Sequence, residues 1–316
     1  MRILHFNETL GFAGGAEQYL YAVANELKER GHTNLLLYHS IEGRQPQTFC
    51  KAFLHCASVV SLHRPPTNTR PRRSILSGEF PHLSLQIPGR REGMSVETWI
   101  KEWNPDIVYV HRWPGMEWLE ALRCQTPFFR FIHDHDLVCL RTHKFFFWTG
   151  RICQQPLGVR CLGCLPYSKK AWRAGVLLWP MALSRQKAEL QAHGRFSRLF
   201  VSTPYMKEQL LKNGIPDQQV KVLPLFTEYR PKFHAQPELD TILVVGRIDR
   251  GKGLDLLLGA LKLVKHPFRL IVVGVGKDLN RCRVLAQRLG LQQKVEFVGR
   301  MDRSELSEWY RRALMV

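Results

Sequence analysis

The stretch from Val244 to Gly253 concentrates the residue types that handle anions. An apolar strand pattern, Thr241 to Val245, runs into Gly246, and a helical pattern of Leu254, Leu257, Leu258 and Leu261 begins after Gly253. A loop between such elements leaves backbone N–H groups unpaired at a helix N-terminus, where negative charge is favoured. Arg247 and Lys252 flank that terminus. One is a planar fork suited to bidentate phosphate contact, the other a compact point charge. Together they predict a diphosphate site.

Four other groups could do chemistry. Gly14 and Gly15 lie between the first strand pattern and the first helix pattern, where the missing Cβ lets backbone approach a ligand. Gly274-x-Gly276 follows another strand. A dinucleotide fingerprint would need a third glycine, but Leu279 stands there, and no acidic residue ends the next strand, so oxidoreductase chemistry is disfavoured. His133 and Asp134 close the apolar strand Phe128–Ile132, at the strand end where open α/β sheets bind ligands. His135 and Asp136 follow directly, but adjacent residues of an extended turn point apart, which works against joint metal ligation. Cys139, Cys153, Cys161 and Cys164 include one Cys-x2-Cys pair. They either hold a structural zinc or an iron–sulfur cluster that staples an irregular loop, or are four reduced thiols.

Taken together, these motifs resemble the retaining glycosyltransferases of family 4, which have two Rossmann-like domains facing a cleft, the GT-B fold. The family's Gly-Arg-x4-Lys-Gly signature falls on Gly246, Arg247, Lys252 and Gly253. Its Gly-Gly-x-Glu loop falls on Gly14, Gly15 and Glu17, and its His-Asp turn on His133 and Asp134. Gly214 with Ile215 and Pro216, Val222 to Pro224, and Val295 to Gly299 follow in the family's order. The resemblance implies that Arg247 and Lys252 hold the donor diphosphate without a divalent ion and that Gly14 and Gly15 face the donor phosphates and the acceptor. It further implies that Gly274 and Gly276 close around the nucleotide and that His133 meets the donor sugar beside its anomeric carbon. Some family members carry a similar cysteine set after the His-Asp turn. The chain ends at Val316, before the family's Pro-Ser turn and Glu-x7-Glu element, so the second domain is expected to be truncated.

These residues need positioning elements. Strand patterns at Arg2–Phe6, Leu35–Tyr38, Asp106–Val110, Phe128–Ile132, Arg198–Ser202 and Val220–Leu223 alternate with helical ones, as in a parallel sheet covered on both faces. Ala16 to Arg30 carries the stripe Leu20, Val23, Ala24 and Leu27. Pro204 to Lys212 has Thr203 as cap and Gly214 beyond its end. Residues 64–93, with five Pro and six Arg, keep no period and read as an exposed loop. The expected division is a first domain over 1–225, a Pro-rich linker over 226–240 and the start of a nucleotide-sugar domain over 241–316. In the latter, strands at Arg269–Val273 and Val295–Val298 alternate with helices near 254–264, 278–289 and 303–313, the last opened by Asp302-x-x-Glu305.

The apolar fraction of 45% is enough for two cores, so the chain is globular. Its net charge of +19 favours anionic partners, and thirteen Arg and Lys stand against two Glu between residues 137 and 213. Nothing resembles a zinc finger, an aromatic sheet motif or a recognition helix, so nucleic acid is disfavoured. Lys169, Lys170, Arg173, Arg185 and Lys187 bracket the apolar run 174–183, with Trp172 and Trp179 beside it. That run is too short to span a bilayer. Either it lies flat on an anionic membrane, or it is a core helix kinked at Pro180. No signal-peptide pattern opens the chain and the cysteines do not form a secreted framework, so a cytoplasmic protein, peripheral on the inner face of the membrane, is expected.

Two functions stay open. One is transfer of a hexose, with retention, from a nucleoside diphosphate sugar to a saccharide or lipid-linked acceptor in cell-envelope assembly. The other is a non-catalytic, degenerate transferase that binds nucleotide, membrane or a partner.

Overall fold

The computed structural model describes residues 1–41, 44–61, 83–86, 96–113, 126–146, 149, 151–167, 179–226 and 238–316. The chain divides into two compact units, Met1–Glu228 and Tyr229–Val316. Each is an α/β layer structure built on a parallel sheet.

Among the described residues the first unit has eight strands: β1 (Arg2–Thr9), β2 (Thr33–Ser40), β3 (His55–Ser61), β4 (Leu83–Gln86), β5 (Ile107–Val110), β6 (Phe128–Ile132), β7 (Arg198–Val201) and β8 (Val220–Val222). Their order is β4-β3-β2-β1-β5-β6-β7-β8, parallel throughout except that β4 runs antiparallel to β3. The order reverses between β1 and β5, which makes the carboxyl ends of those two strands a topological switch point. In parallel sheets both faces must be covered, so central strands are apolar nearly throughout. Leu4 and Phe6 of β1 face one core with Val108, Val110, Ile132, Leu199 and Val201. Helices α3 (Val96–Trp103), α4 (Trp179–Ala192) and α5 (Pro204–Leu211) close that core with Ile100, Leu183, Leu190, Met206 and Leu210. The opposite face lies under α1 (Gly15–Glu29) and α2 (Pro46–Cys50), through Tyr19, Leu20, Val23, Ala24 and Phe49.

Two strands differ from the sequence pattern: β3 carries none of the expected strand runs, and β4 lies inside the segment 64–93 that reads as a loop; the rest of that segment is outside the described residues. The expected membrane segment lies largely outside them too: 168–178 are not described, which includes Lys169, Lys170, Trp172 and Arg173. Among the described residues Pro180 lies in the first turn of α4, and Leu183 from the same run is core. Among the described residues no helix is long and apolar enough to cross a membrane.

The second unit orders its strands β11-β10-β9-β12, all parallel, from β9 (Glu238–Val245), β10 (Arg269–Val273), β11 (Val295–Gly299) and β12 (Ala313–Met315). β9 begins three residues before the expected Thr241, because Glu238 is held by Thr241 Oγ1 at 2.9 Å and by Arg312 Nε at 2.6 Å. Helices α6 (Leu254–Leu261) and α7 (Leu279–Arg288) cover one sheet face through Leu254, Leu258, Leu261, Cys282 and Ala286. α8 (Arg303–Arg312) covers the other through Leu306 and Trp309. The expected linker, 226–240, is described only at its ends.

The helix starts follow capping chemistry. Met206 N–H donates to Thr203 Oγ1 at 3.2 Å, and Asp302 with Glu305 forms a reciprocal capping box on α8. Thr203→Ala is expected to cost about 1 kcal/mol. Leu199→Ala, in a fully buried strand position, is expected to cost about 2–5 kcal/mol. Urea unfolding of the two variants checks the ordering, which a larger loss in the cap variant would reverse.

Candidate functional site

In the second unit, the chain leaves β9 at Gly246, passes Arg247 and Ile248, makes a 3-10 turn over Arg250–Lys252 and enters α6 through Gly253. Gly253 is left-handed, with φ of 76°, and carries no side-chain cap, so the N–H groups of Leu254 and Asp255 at the start of α6 are open to a ligand, while Leu256 N–H donates to Asp255 Oδ1 at 3.1 Å. Ile248 is 3% exposed and pins the middle of the loop in the core, which turns the residues on either side outward. Arg247 is 71% exposed and ion-pairs with Asp249, while Lys252 is exposed. Arg247 and Lys252 therefore belong to one rigid loop at a helix N-terminus.

The rigidity comes from the neighbouring turn. Gly246 N–H donates to Val273 O at 2.9 Å, Ile248 N–H to Val275 O at 3.1 Å and Asp278 N–H to Ile248 O at 3.1 Å. The ladder thus continues past the strands into both loops. A Cβ on Gly274 would fall 1.8 Å from Gly246 O, and one on Gly276 would fall 2.1 Å from Ile248 O. Gly274 and Gly276, expected to close around a nucleotide, admit with their bare backbones the Gly246–Ile248 stretch of the facing loop.

In the first unit, the strand ends carry polar groups into a buried setting. His5, Asn7, His111 and Glu17 are at most 2% exposed. Asn7 Nδ2 donates to Thr9 O at 2.8 Å, Arg112 N–H donates to Asn7 Oδ1 at 3.2 Å, and Thr9 Oγ1 donates to Glu17 Oε1 at 3.4 Å. Gly14 is the N-cap of α1, and a Cβ there would lie 3.5 Å from Glu17 Oε2. Glu17 thus folds back beneath its own Gly14-Gly15 loop, where the positive end of the helix favours a carboxylate.

Three histidines of adjacent strands run end to end beneath α1. His5 Nε2 lies 3.0 Å from Asn34 Oδ1, His5 Nδ1 lies 3.4 Å from His111 Nε2, and His111 Nδ1 lies 3.5 Å from His133 Nε2. Burial pushes the His5 imidazole down to about 4 and holds His111 well below the usual range. His133 is also lowered to about 4, first by burial and then by Arg112 and Arg130, with Asp136 opposing. Tyr19 meets the His133 ring edge-on at 5.7 Å and Phe131 packs against it at 4.8 Å. The turn after His133 is fixed by Asp136 N–H donating to Asp134 Oδ1 at 2.9 Å and by Gln186 of α4 donating to Asp136 O and Leu137 O.

Residues 13–228 match Glycosyltransferase Family 4, and residues 226–316 match Glycosyl transferases group 1. The chain belongs to glycosyltransferase family 4. A D-inositol 3-phosphate glycosyltransferase of Xylanimonas cellulosilytica is 24% identical over 97% of this transferase and 70% of its own length. An uncharacterized glycosyltransferase of Methanocaldococcus jannaschii is 28% identical over 120 residues, which are 36% of this chain and 31% of the relative. Among solved structures, the lipopolysaccharide outer core galactosyltransferase WaaB has a TM-score of 0.54 at 14% identity, over 99% of this chain and 72% of that one. Anabaena HepE with UDP and glucose has a TM-score of 0.53 at 14% identity, over 96% and 70%. These likenesses show a shared GT-B fold.

The transferase's cysteines do not assemble as a ligand set. Cys139, Cys153, Cys161 and Cys164 are partly exposed and unbridged, and among the described residues no three His, Cys, Asp or Glu side chains gather as a metal site. They do share one neighbourhood: burial first, then Cys161, and more weakly Cys139 and Cys153, push the Cys164 thiol up. The loop expected to need a metal staple is ordered by other bonds. Lys144 Nζ donates to Gln155 O at 2.6 Å, Cys153 N–H to Lys144 O at 2.7 Å and Leu157 N–H to Asn213 Oδ1 at 2.7 Å. His135 rests against the Tyr205 ring.

Sequence reasoning missed His5, Asn34, His111 and Ile248. A signal existed for the first three, since an isolated polar residue within or directly after a strand buried on both faces must find a partner inside.

The buried histidines give a pH signature. In the folded protein His5 and His133 stay neutral down to about pH 4, while the unfolded chain takes up protons from about pH 6.5. The unfolded state binds more protons across that window, so stability falls as pH drops from about 6.5 towards 4. Each unit of lowering contributes about 1.4 kcal/mol to that fall. Urea midpoints between pH 7 and 5 should decline, and less steeply in His111→Phe; pH-independent midpoints would contradict the buried neutral state. In the second unit, Gly274→Ala should lower the unfolding midpoint markedly, since its Cβ has no room against backbone, whereas Gly290→Ala meets nothing within 4 Å and carries only the strain of its φ of 73°.

Proposed function

We propose that the chain binds a nucleoside diphosphate sugar and transfers its hexose, with retention, to a saccharide or lipid-linked acceptor of the cell envelope. The observation that carries this reading is the loop of Arg247 and Lys252 over the open N-terminus of α6. Breaking the sugar–phosphate bond leaves a diphosphate, and stabilising that developing charge is the largest demand of the reaction. Two cations and a row of backbone N–H groups meet it with no divalent ion. Asp249 now occupies the Arg247 guanidinium, and a diphosphate competes with it for the same fork. His133, at the end of β6, is assigned to a hydroxyl of the transferred sugar.

Family membership supports the transferase class. The Anabaena relative holds UDP and glucose, and WaaB is a galactosyltransferase of lipopolysaccharide, which supports a nucleotide donor and an envelope acceptor. Docking on anionic membrane through the basic segment around residues 169–187 fits the same acceptor class.

Titration calorimetry with UDP and GDP tests the donor site. Replacing Arg247 and Lys252 by Ala removes charge-assisted contacts worth about 1.5–3 kcal/mol each, so the Kd should rise by more than about tenfold. Undiminished affinity in a folded double variant would overturn the assignment.

A further inference from the structure

We infer that His5 and His111 are positioning residues that fix His133 as its Nε2–H tautomer and keep its Nδ1 as a hydrogen-bond acceptor. The inference rests on the reading of His133 as a donor-sugar contact, and it adds how that contact acquires its polarity.

The direction of the chain is set at its far end. Asn34 Nδ2 lies 2.8 Å from Ala24 O on α1. A backbone carbonyl only accepts, so the NH2 group of Asn34 faces Ala24 and its Oδ1 faces His5. His5 Nε2 must then carry a proton and donate at 3.0 Å. A neutral imidazole has one N–H, so His5 Nδ1 is bare and accepts from His111 Nε2 at 3.4 Å. His111 is neutral for the same reason, burial, so its Nδ1 is bare and accepts from His133 Nε2 at 3.5 Å. That leaves the proton of His133 on Nε2 and a lone pair on Nδ1, which makes no hydrogen bond among the described residues.

Ring geometry agrees with a chain rather than a stack. His5 and His111, and again His111 and His133, have centroids 5.7 Å apart and planes 24° from parallel. Their nearest nitrogens are much closer than their centres, as in rings joined edge to edge. Phe53 and Tyr109 flank His5, so water is kept from substituting for a partner in the chain. Reversing the polarity would set a bare His5 Nε2 against Asn34 Oδ1 or, with the amide turned over, Asn34 Oδ1 against Ala24 O, two lone pairs face to face in either case and a buried mismatch.

A bare Nδ1 accepts and cannot donate. At His133 it would accept a hydrogen bond from a hydroxyl of the transferred sugar and would discriminate against a donor analogue lacking that hydroxyl.

The test is imidazole 15N NMR of the full chain at pH 7, which distinguishes a protonated ring nitrogen from a bare one. The expected result is His133 in a single tautomer, Nε2 protonated and Nδ1 bare. His111→Gln should preserve it, because an amide can donate to His5 Nδ1 and accept from His133 Nε2. His111→Phe removes both partners and should leave His133 in mixed tautomers. A protonated Nδ1 in the unaltered protein overturns the inference, whether or not any variant folds. So does a tautomer unchanged in a folded His111→Phe protein. In turnover, His111→Phe should lower kcat/KM for the donor sugar roughly tenfold, with UDP affinity unchanged and His111→Gln restoring most of the loss. Loss of UDP binding in the Arg247 and Lys252 variant is read separately, so failure of the donor site and failure of the tautomer lock remain distinct.

Discussion

A strand buried on both faces leaves no water to satisfy a polar side chain, and that constraint organises the first unit. β1 alternates Leu4 and Phe6 on one face with His5 and Asn7 on the other, and all four are at most 1% exposed. On the apolar face the requirement is packing. On the polar face it is a closed set of hydrogen bonds, because an unpaired buried group costs about 1–3 kcal/mol. Asn34 anchors the set to α1, Asn7 ties β1 to Arg112 beyond β5, and the histidines carry it across the sheet to the end of β6. Polar residues in or just beyond four strands, with a backbone carbonyl of α1, thus constrain one another.

The second unit solves a related problem with backbone. The loop that carries Arg247 and Lys252 could have been held by side chains, but the bonds from Gly246 and Ile248 to the turn after β10 do it instead. Such contact requires the absence of Cβ on the facing residues, which Gly274 and Gly276 supply. Asp278 completes the arrangement by accepting from Arg250 N–H at 2.6 Å, which ties the 3-10 turn to the start of α7.

Much of this architecture could be read along the chain. Thr203 and Asp302 announce helix starts by local chemistry, and both caps form. Apolar runs such as Ile107–Val110 and Phe128–Ile132 mark buried strands by composition alone. The motif around Arg247 and Lys252 places a loop between strand and helix because its glycines and leucines mark both boundaries. What escaped the sequence depends on distant partners. β4 pairs with β3 across a segment whose prolines and arginines erase periodicity. The histidine chain joins residues 5, 34, 111 and 133, and no local pattern records that their strands are neighbours. Gly274 and Gly276 look alike whether their space admits a ligand or another loop. Cysteine spacing likewise says nothing about whether the intervening backbone brings sulfurs together.

The interlock between the two glycine loops also bears on how an anion would be received. Most surface loops lose conformational freedom when they close on a ligand, and that loss weakens affinity. Here the loop's freedom is surrendered during folding, when Ile248 enters the core and the two turns zip together. Its N–H dipoles are already aimed before any phosphate arrives, so reorganisation on binding falls chiefly to the long side chains of Arg247 and Lys252. The second unit therefore resembles a fixed electrode with two mobile contacts, its geometry set by chain connectivity rather than by induced closure.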